Sequence, residues 1–163
     1  MNIGFYAPLK SPDSAIPSGD REVAKLLFSS LESQGHKVKL VSRFKSREPE
    51  GLEEKQKQLK LQGEQISKEL IKMFSTIGNW CPDLWFTYHA FYKAPDLIGP
   101  NVSTALKIPY IVAEASHAPK RALGRWSLFH EEVEKTIAHA DLIIGMNTND
   151  RGGIKQILKD DTR

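Results

Sequence analysis

The apolar run Ile3-Gly4-Phe5-Tyr6-Ala7, followed by Ile16-Pro17-Ser18-Gly19-Asp20-Arg21-Glu22-Val23-Ala24-Lys25-Leu26-Leu27, decides the fold class. The run has the length of a strand buried on both faces. Val23, Leu26, Leu27 and Leu31 then recur at helical spacing, and Gly35 falls where a C-cap belongs. Ser18 is suited to an N-cap, and Asp20 and Glu22 suit the positive end of a helix dipole. Gly19 is harder to explain, because glycine is a poor helix former. Two readings stand side by side. Ser18, Asp20 and Glu22 form an ordinary cap, or Gly19 lets an anion such as a phosphate approach unpaired N–H groups at the helix start. Neither a G-x-G-x-x-G fingerprint nor a P-loop Lys-Ser/Thr is present.

Outward from this unit the alternation continues. Val38-Lys39-Leu40-Val41, Asp83 to Tyr88, Tyr110 to Ala113 and Asp141 to Met146 read as four further strands. Helical patterns lie between them. One runs from about Glu53 to Ile77, with an apolar stripe at Leu59, Ile66, Leu70, Met73 and Ile77 on an otherwise Lys-, Glu- and Gln-rich solvated helix. Others begin near Asp96, run from Ser127 to His139, and begin near Asp150. Strand–helix alternation predicts an α/β fold: a Rossmann-like parallel sheet with helices on both faces and right-handed crossovers. A chain of 163 residues makes one such domain, 1–163, without an internal linker. Ligands of these sheets bind at the carboxyl ends of the strands, so polar residues just past a strand are the candidates for function.

Composition narrows the classes. Apolar residues are 40% and charged residues 26%, as in ordinary soluble domains, and a net charge of +3 gives no argument for nucleic-acid binding. The N-terminal segment has no signal-peptide pattern, and no apolar run is long enough to cross a bilayer. Cys81, the single cysteine, reads as an inert thiol in a cytoplasmic protein.

His89 directly follows the third strand, and His117 follows the fourth, close behind Glu114. His36, His130 and His139 read as structural or exposed. Neither paired cysteines nor a His-x-x-x-His helix is present, so no metal site is expected. A Gly-x-Ser-x-Gly nucleophile elbow is also absent. Lys120, Arg121, Arg125 and Trp126, with Phe129, form a basic and aromatic cluster where positive charge opposes the helix dipole. It suits a phosphorylated acceptor or an anionic membrane surface, and equally an ordinary solvated face.

Four features make the chain resemble the N-terminal half of the retaining GT-B glycosyltransferases of family 4. They are Ser18-Gly19-Asp20-Arg21 after the first strand, Gly35-His36-Lys37-Val38, Pro82-Asp83 leading through an apolar run to His89, and the strand entries at Ile108-Pro109 and Ala140-Asp141. The resemblance implies an acceptor-binding domain that faces a donor-binding domain across a cleft. That second domain, with its paired glutamates, is expected to be absent from this chain, leaving it inactive alone. By the same resemblance, Ser18, Gly19, Asp20 and Arg21 form the loop facing the donor phosphates, and His117 and His89 are the catalytic-side histidines. Glu114, Lys120, Arg121, Arg125 and Trp126 are acceptor-side candidates. The implied partners are a nucleotide-sugar donor and a carbohydrate, phosphorylated or lipid-linked acceptor, with peripheral contact at the inner face of a membrane. No cofactor, metal or nucleic acid is implied. The alternative from another class is a non-catalytic Rossmann-like binding module, acting alone or with a partner subunit. An NAD-dependent oxidoreductase is disfavoured by the missing glycine fingerprint and by Arg43 at the end of the second strand.

Overall fold

The third strand carries one of the largest fully buried side chains in the protein, Trp85, and the sheet is built around it. The computed structural model describes residues 1–158. The tail from Lys159 to Arg163, where the sequence reading placed the crossing into a second domain, lies outside the described residues. Five parallel strands, β1 (Asn2–Tyr6), β2 (Lys37–Leu40), β3 (Leu84–Ala90), β4 (Tyr110–Ala115) and β5 (Leu142–Ile144), form one sheet in the order β2-β1-β3-β4-β5. Five α-helices connect or follow them: α1 (Gly19–Ser33), α2 (Glu53–Phe74), α3 (Gly99–Leu106), α4 (Ser127–His139) and α5 (Arg151–Lys155). This is an α/β Rossmann-like fold, as the alternation of elements predicts.

Alternate strand residues feed two cores. Ile3, Phe5, Phe86, Tyr88 and Ala113 pack with Val23, Ala24, Leu27, Phe28 and Leu31 of α1. Tyr6, Trp85, Tyr110 and Val112 point the other way, against Leu70 and Phe74 of α2, Val102 of α3 and Val133 and Ile137 of α4. The α1 stripe differs from the expected one by one position: Leu26 is 69% exposed, and Ala24 is buried in its place. The predicted C-cap is a Schellman turn, in which Gly35 adopts φ +81°, its N–H donates to Glu32 O and the His36 N–H donates to Leu31 O.

α2 departs further from its expected stripe. Ile77 lies beyond the helix and is fully exposed, and Met73 is 45% exposed. Leu70 is buried as expected and Ile66 packs against the core, but the rest of the buried face is Gln56, Gly63, Ser67 and Phe74. A Cβ on Gly63 would lie 2.6 Å from Leu97 Cβ and 2.9 Å from Leu97 O, so small residues let α2 approach the neighbouring backbone. Gln56 donates to Arg125 O at 2.7 Å and accepts from the Phe129 N–H at 3.2 Å, joining α2 to the start of α4.

Two buried carboxylates serve the helix starts. Glu48 accepts from the Glu50 and Leu52 N–H groups at 3.1 and 3.0 Å, and also from Gly51, ahead of α2. Asp96 accepts from the Ile98 and Gly99 N–H groups at 2.9 and 2.7 Å, and from the hydroxyls of Thr87 and Tyr110. Both carboxylates therefore satisfy backbone donors at or just before the helix starts, where the nominal cap residues, Leu52 and Ile98, make no side-chain cap bond.

Candidate functional site

The chain leaves β1 toward β2 on one side and later returns to β3 on the other. The loops after β1 and β3 therefore diverge at the carboxyl ends of the strands, the place where ligands of such sheets bind. α1 begins at that point. Ser18 is its N-cap, with extended backbone (φ −166°, ψ 161°) and a side-chain oxygen accepting from the Arg21 N–H at 3.2 Å. The cap reading is thus met in full. It leaves the amides of Gly19 and Asp20 without an acceptor among the described residues, as expected for a first helical turn. A Cβ built on Gly19 meets nothing within 4 Å, so no part of the described fold requires glycine there.

Between the two loops, Asp20 Oδ1 lies 2.9 Å from His89 Nδ1. This contact joins the first turn of α1 to the end of β3, and the His89 ring stacks on Phe91 with centroids 4.9 Å apart. His89 Nε2 has no partner among the described residues. Arg21 is committed elsewhere: it donates to Ser14 O at 3.1 Å and pairs with Glu22 at 2.7 Å. Its role is to hold the approach loop to the helix.

His89 and Glu114 have positive φ, at +62° and +59°, a conformation that costs a non-glycine residue roughly 1–2 kcal/mol. The register pairs Tyr88 with Ala113 and Ala90 with Ala115, so these two residues are opposite each other on neighbouring strands. Lys107, the third such residue, is an ordinary left-handed helix C-cap. Strain at two facing strand positions serves no turn or cap and marks a place where side-chain direction matters more than backbone comfort. Tyr88, beside them, ionises well above the ordinary tyrosine range, first because it is buried and second because the Glu114 carboxylate is close by. Sequence reasoning overlooked Tyr88, which looked like one apolar strand residue among several.

His117 is placed differently from the expectation. Its side chain is 5% exposed, and both ring nitrogens are engaged: Nδ1 with Gly153 O at 2.9 Å, and Nε2 with Glu134 Oε1 at 3.1 Å. It faces α4 and α5 rather than His89. The His130 ring lies beside it at 4.9 Å, and Nδ1 of His130 is 3.8 Å from the same Glu134 oxygen. Burial, ahead of every other influence, lowers the His130 pKa, so this imidazole is held neutral. A metal site was not expected, yet His117, His130 and Glu134 bring three ligand-capable atoms within 4.8 Å of one another. The signal was present in the sequence as His130-x-x-x-Glu134, one helical turn apart, but its third member comes from another element.

The basic cluster divides. Lys120 is exposed. Arg121 stacks over the Tyr92 ring at 5.0 Å. Arg125 folds over Gly51 and donates to Glu50 O at 3.2 Å. Trp126 is only 5% exposed and meets Tyr92 edge-on at 5.1 Å. Arg125 therefore ties the segment before α4 to the one before α2, and Trp126 ties it to the segment after β3, which explains positive charge at a helix start that the dipole disfavours. Cys81 is half-buried, and burial raises its pKa, so the thiol is not activated.

No protein-family model matches the chain, and comparison with curated proteins also finds no match. Among the described residues, no helix is long and apolar enough to cross a membrane.

Proposed function

We propose that this chain is the acceptor-side domain of a retaining GT-B glycosyltransferase, which moves a sugar from a nucleotide-sugar to a carbohydrate, phosphorylated or lipid-linked acceptor. The observation that carries this reading is the arrangement of residues at the switch point between β1 and β3. An open glycine and unpaired amides at the start of α1 lie one hydrogen-bonded contact, Asp20 to His89, from two strained residues on β3 and β4. In this reading Gly19 and Asp20 present N–H groups and the positive end of α1 to the donor diphosphate, whose charge grows as the glycosidic bond to phosphate breaks. His89, oriented by Asp20, supplies its free Nε2 to the sugar or acceptor hydroxyls. Glu114 lines the acceptor side, with the buried Tyr88 behind it. His117 acts from behind, fixing the loop that follows β4. The donor nucleotide belongs mainly to a second domain, and neither metal nor cofactor has a part in the transfer.

Amide NMR of the 163-residue chain tests this assignment. Millimolar UDP- or GDP-sugar should move the Gly19 and Asp20 resonances while binding only weakly. Binding tighter than about 10 μM, a contact energy near 7 kcal/mol, would contradict the division of labour between domains. Unchanged Gly19 and Asp20 resonances would remove the phosphate role and favour the binding-module alternative.

A further inference from the structure

We propose that His117, His130 and Glu134 form a binding site for a divalent first-row transition ion of the zinc type, clipping the segment after β4 to α4. Nothing in the transferase reading requires this site, and it stands or falls separately. Two imidazoles and one carboxylate are a donor set suited to such ions, with water completing the coordination. His130 and Glu134 are one turn apart on α4 and so share a face. His117 approaches from the segment after β4.

The distances suit an ion. The edge of a tetrahedron with bonds of about 2.0 Å is about 3.3 Å. His117 Nε2 and Glu134 Oε1 are 3.1 Å apart, His130 Nδ1 is 3.8 Å from that oxygen, and one donor atom from each of the three residues fits within 4.8 Å. Side-chain adjustments of about an ångström would close the set around an ion with bonds of that length.

The surroundings favour a ligand over a plain hydrogen-bond network. His117 Nδ1 faces Gly153 O at 2.9 Å, an acceptor that keeps the proton on Nδ1 and turns Nε2 toward the cluster. Metal-bound histidines are commonly oriented by such a backbone carbonyl. Gly153 is needed for that approach, since a Cβ there would lie 2.6 Å from His117 O. His130 is only 3% exposed, and its ring lies beside His117 and the Ala118 backbone. Its Nδ1, on the Glu134 side, supplies the bond to the ion. The half-exposed Glu134 carboxylate gives the ion its way in.

The test is titration of the untagged 163-residue chain, stripped with chelator, using Zn²⁺ by calorimetry and Co²⁺ by visible absorption. One equivalent of Zn²⁺ should bind with micromolar or tighter affinity and raise the melting temperature by several degrees. Co²⁺ should give the intense d–d bands of low coordination number. Glu134→Gln, at a half-exposed position, should fold normally, weaken Zn²⁺ binding at least tenfold and abolish the cobalt bands. His117→Gln should do the same, and His130→Gln serves as a third variant if it folds. No saturable binding of Zn²⁺ below 100 μM would overturn the proposal. One-to-one binding unchanged in Glu134→Gln would overturn it as well, because the ion would then be held elsewhere.

Discussion

At the scale of single residues, His89 and Glu114 carry the most information. Each holds a left-handed backbone that glycine would adopt without strain, and each does so in a strand. Replacing His89 separates strain from contact. Both His89→Gly and His89→Ala lose the Asp20 contact, which is worth at most about 1 kcal/mol at this part-exposed position. Only the glycine also relieves the backbone, so His89→Gly should be more stable than His89→Ala by about 1 kcal/mol in urea unfolding. An alanine variant equal to or better than the glycine would mean that the left-handed geometry costs nothing. These two positions were legible in part: both residues follow or end an apolar run and were singled out for that reason. Their strain was not legible, because it depends on how neighbouring strands meet. His117 shows the opposite limit. Its position after β4 is what the sequence reading required, but its direction is fixed by Gly153 and Glu134, which are 36 and 17 residues away.

At the scale of elements, every helix start and strand run expected from periodicity is present, and the errors concern which face turns inward. α2 shows why. Its apolar stripe included Leu59 and Met73, whereas close approach to Leu97 and Ile98 selects Gly63 and Ser67. Periodicity counts apolar residues and cannot see that a backbone approaches closely. Gly63→Ala makes the conflict measurable. Alanine improves helix propensity by about 1 kcal/mol, while overpacking against Leu97 costs about 1–3 kcal/mol. The clash involves the Leu97 carbonyl as well as its side chain, so the variant should unfold at lower urea concentration. An increase in midpoint would show that α2 can retreat freely.

At the scale of the whole molecule, one face of the sheet is covered unevenly. Leu142 and Ile144 of β5 register with Ile111 and Ala113, on the α1 side, and are 44% and 43% exposed. The opposite face is sealed by α2, α3 and α4 around Tyr6, Trp85 and Tyr110. Burial, followed by the Asp96 charge, raises the ionisation of Tyr6 and Tyr110 far above the ordinary range, and Tyr88 is also raised. Unfolding releases these hydroxyls to a pKa of about 10. The protective effect is fully present below pH 10 and lost as pH rises further, because the unfolded chain then gives up protons that the folded chain retains. Each tyrosine steepens the loss by up to about 1.4 kcal/mol per pH unit. Melting temperature should therefore fall steeply between pH 10 and 11, and less steeply in Tyr6→Phe. Equal slopes would show that Tyr6 ionises in place.

The proposed function rests on the β1–β3 switch point at all three scales, and sugar transfer tests it most directly. The natural gene product, purified from its own cells, would be incubated with UDP- and GDP-sugars and an acceptor mixture, beside its Gly19→Val form. The expected result is donor-dependent transfer with retained anomeric configuration. Gly19→Val should reduce it on the order of 100-fold, the scale of a misplaced reacting group, with a melting temperature within about 2 °C of wild type, under 1 kcal/mol for a domain of this size. No transfer from any nucleotide-sugar, or a Gly19→Val form as active as the wild type, would contradict it.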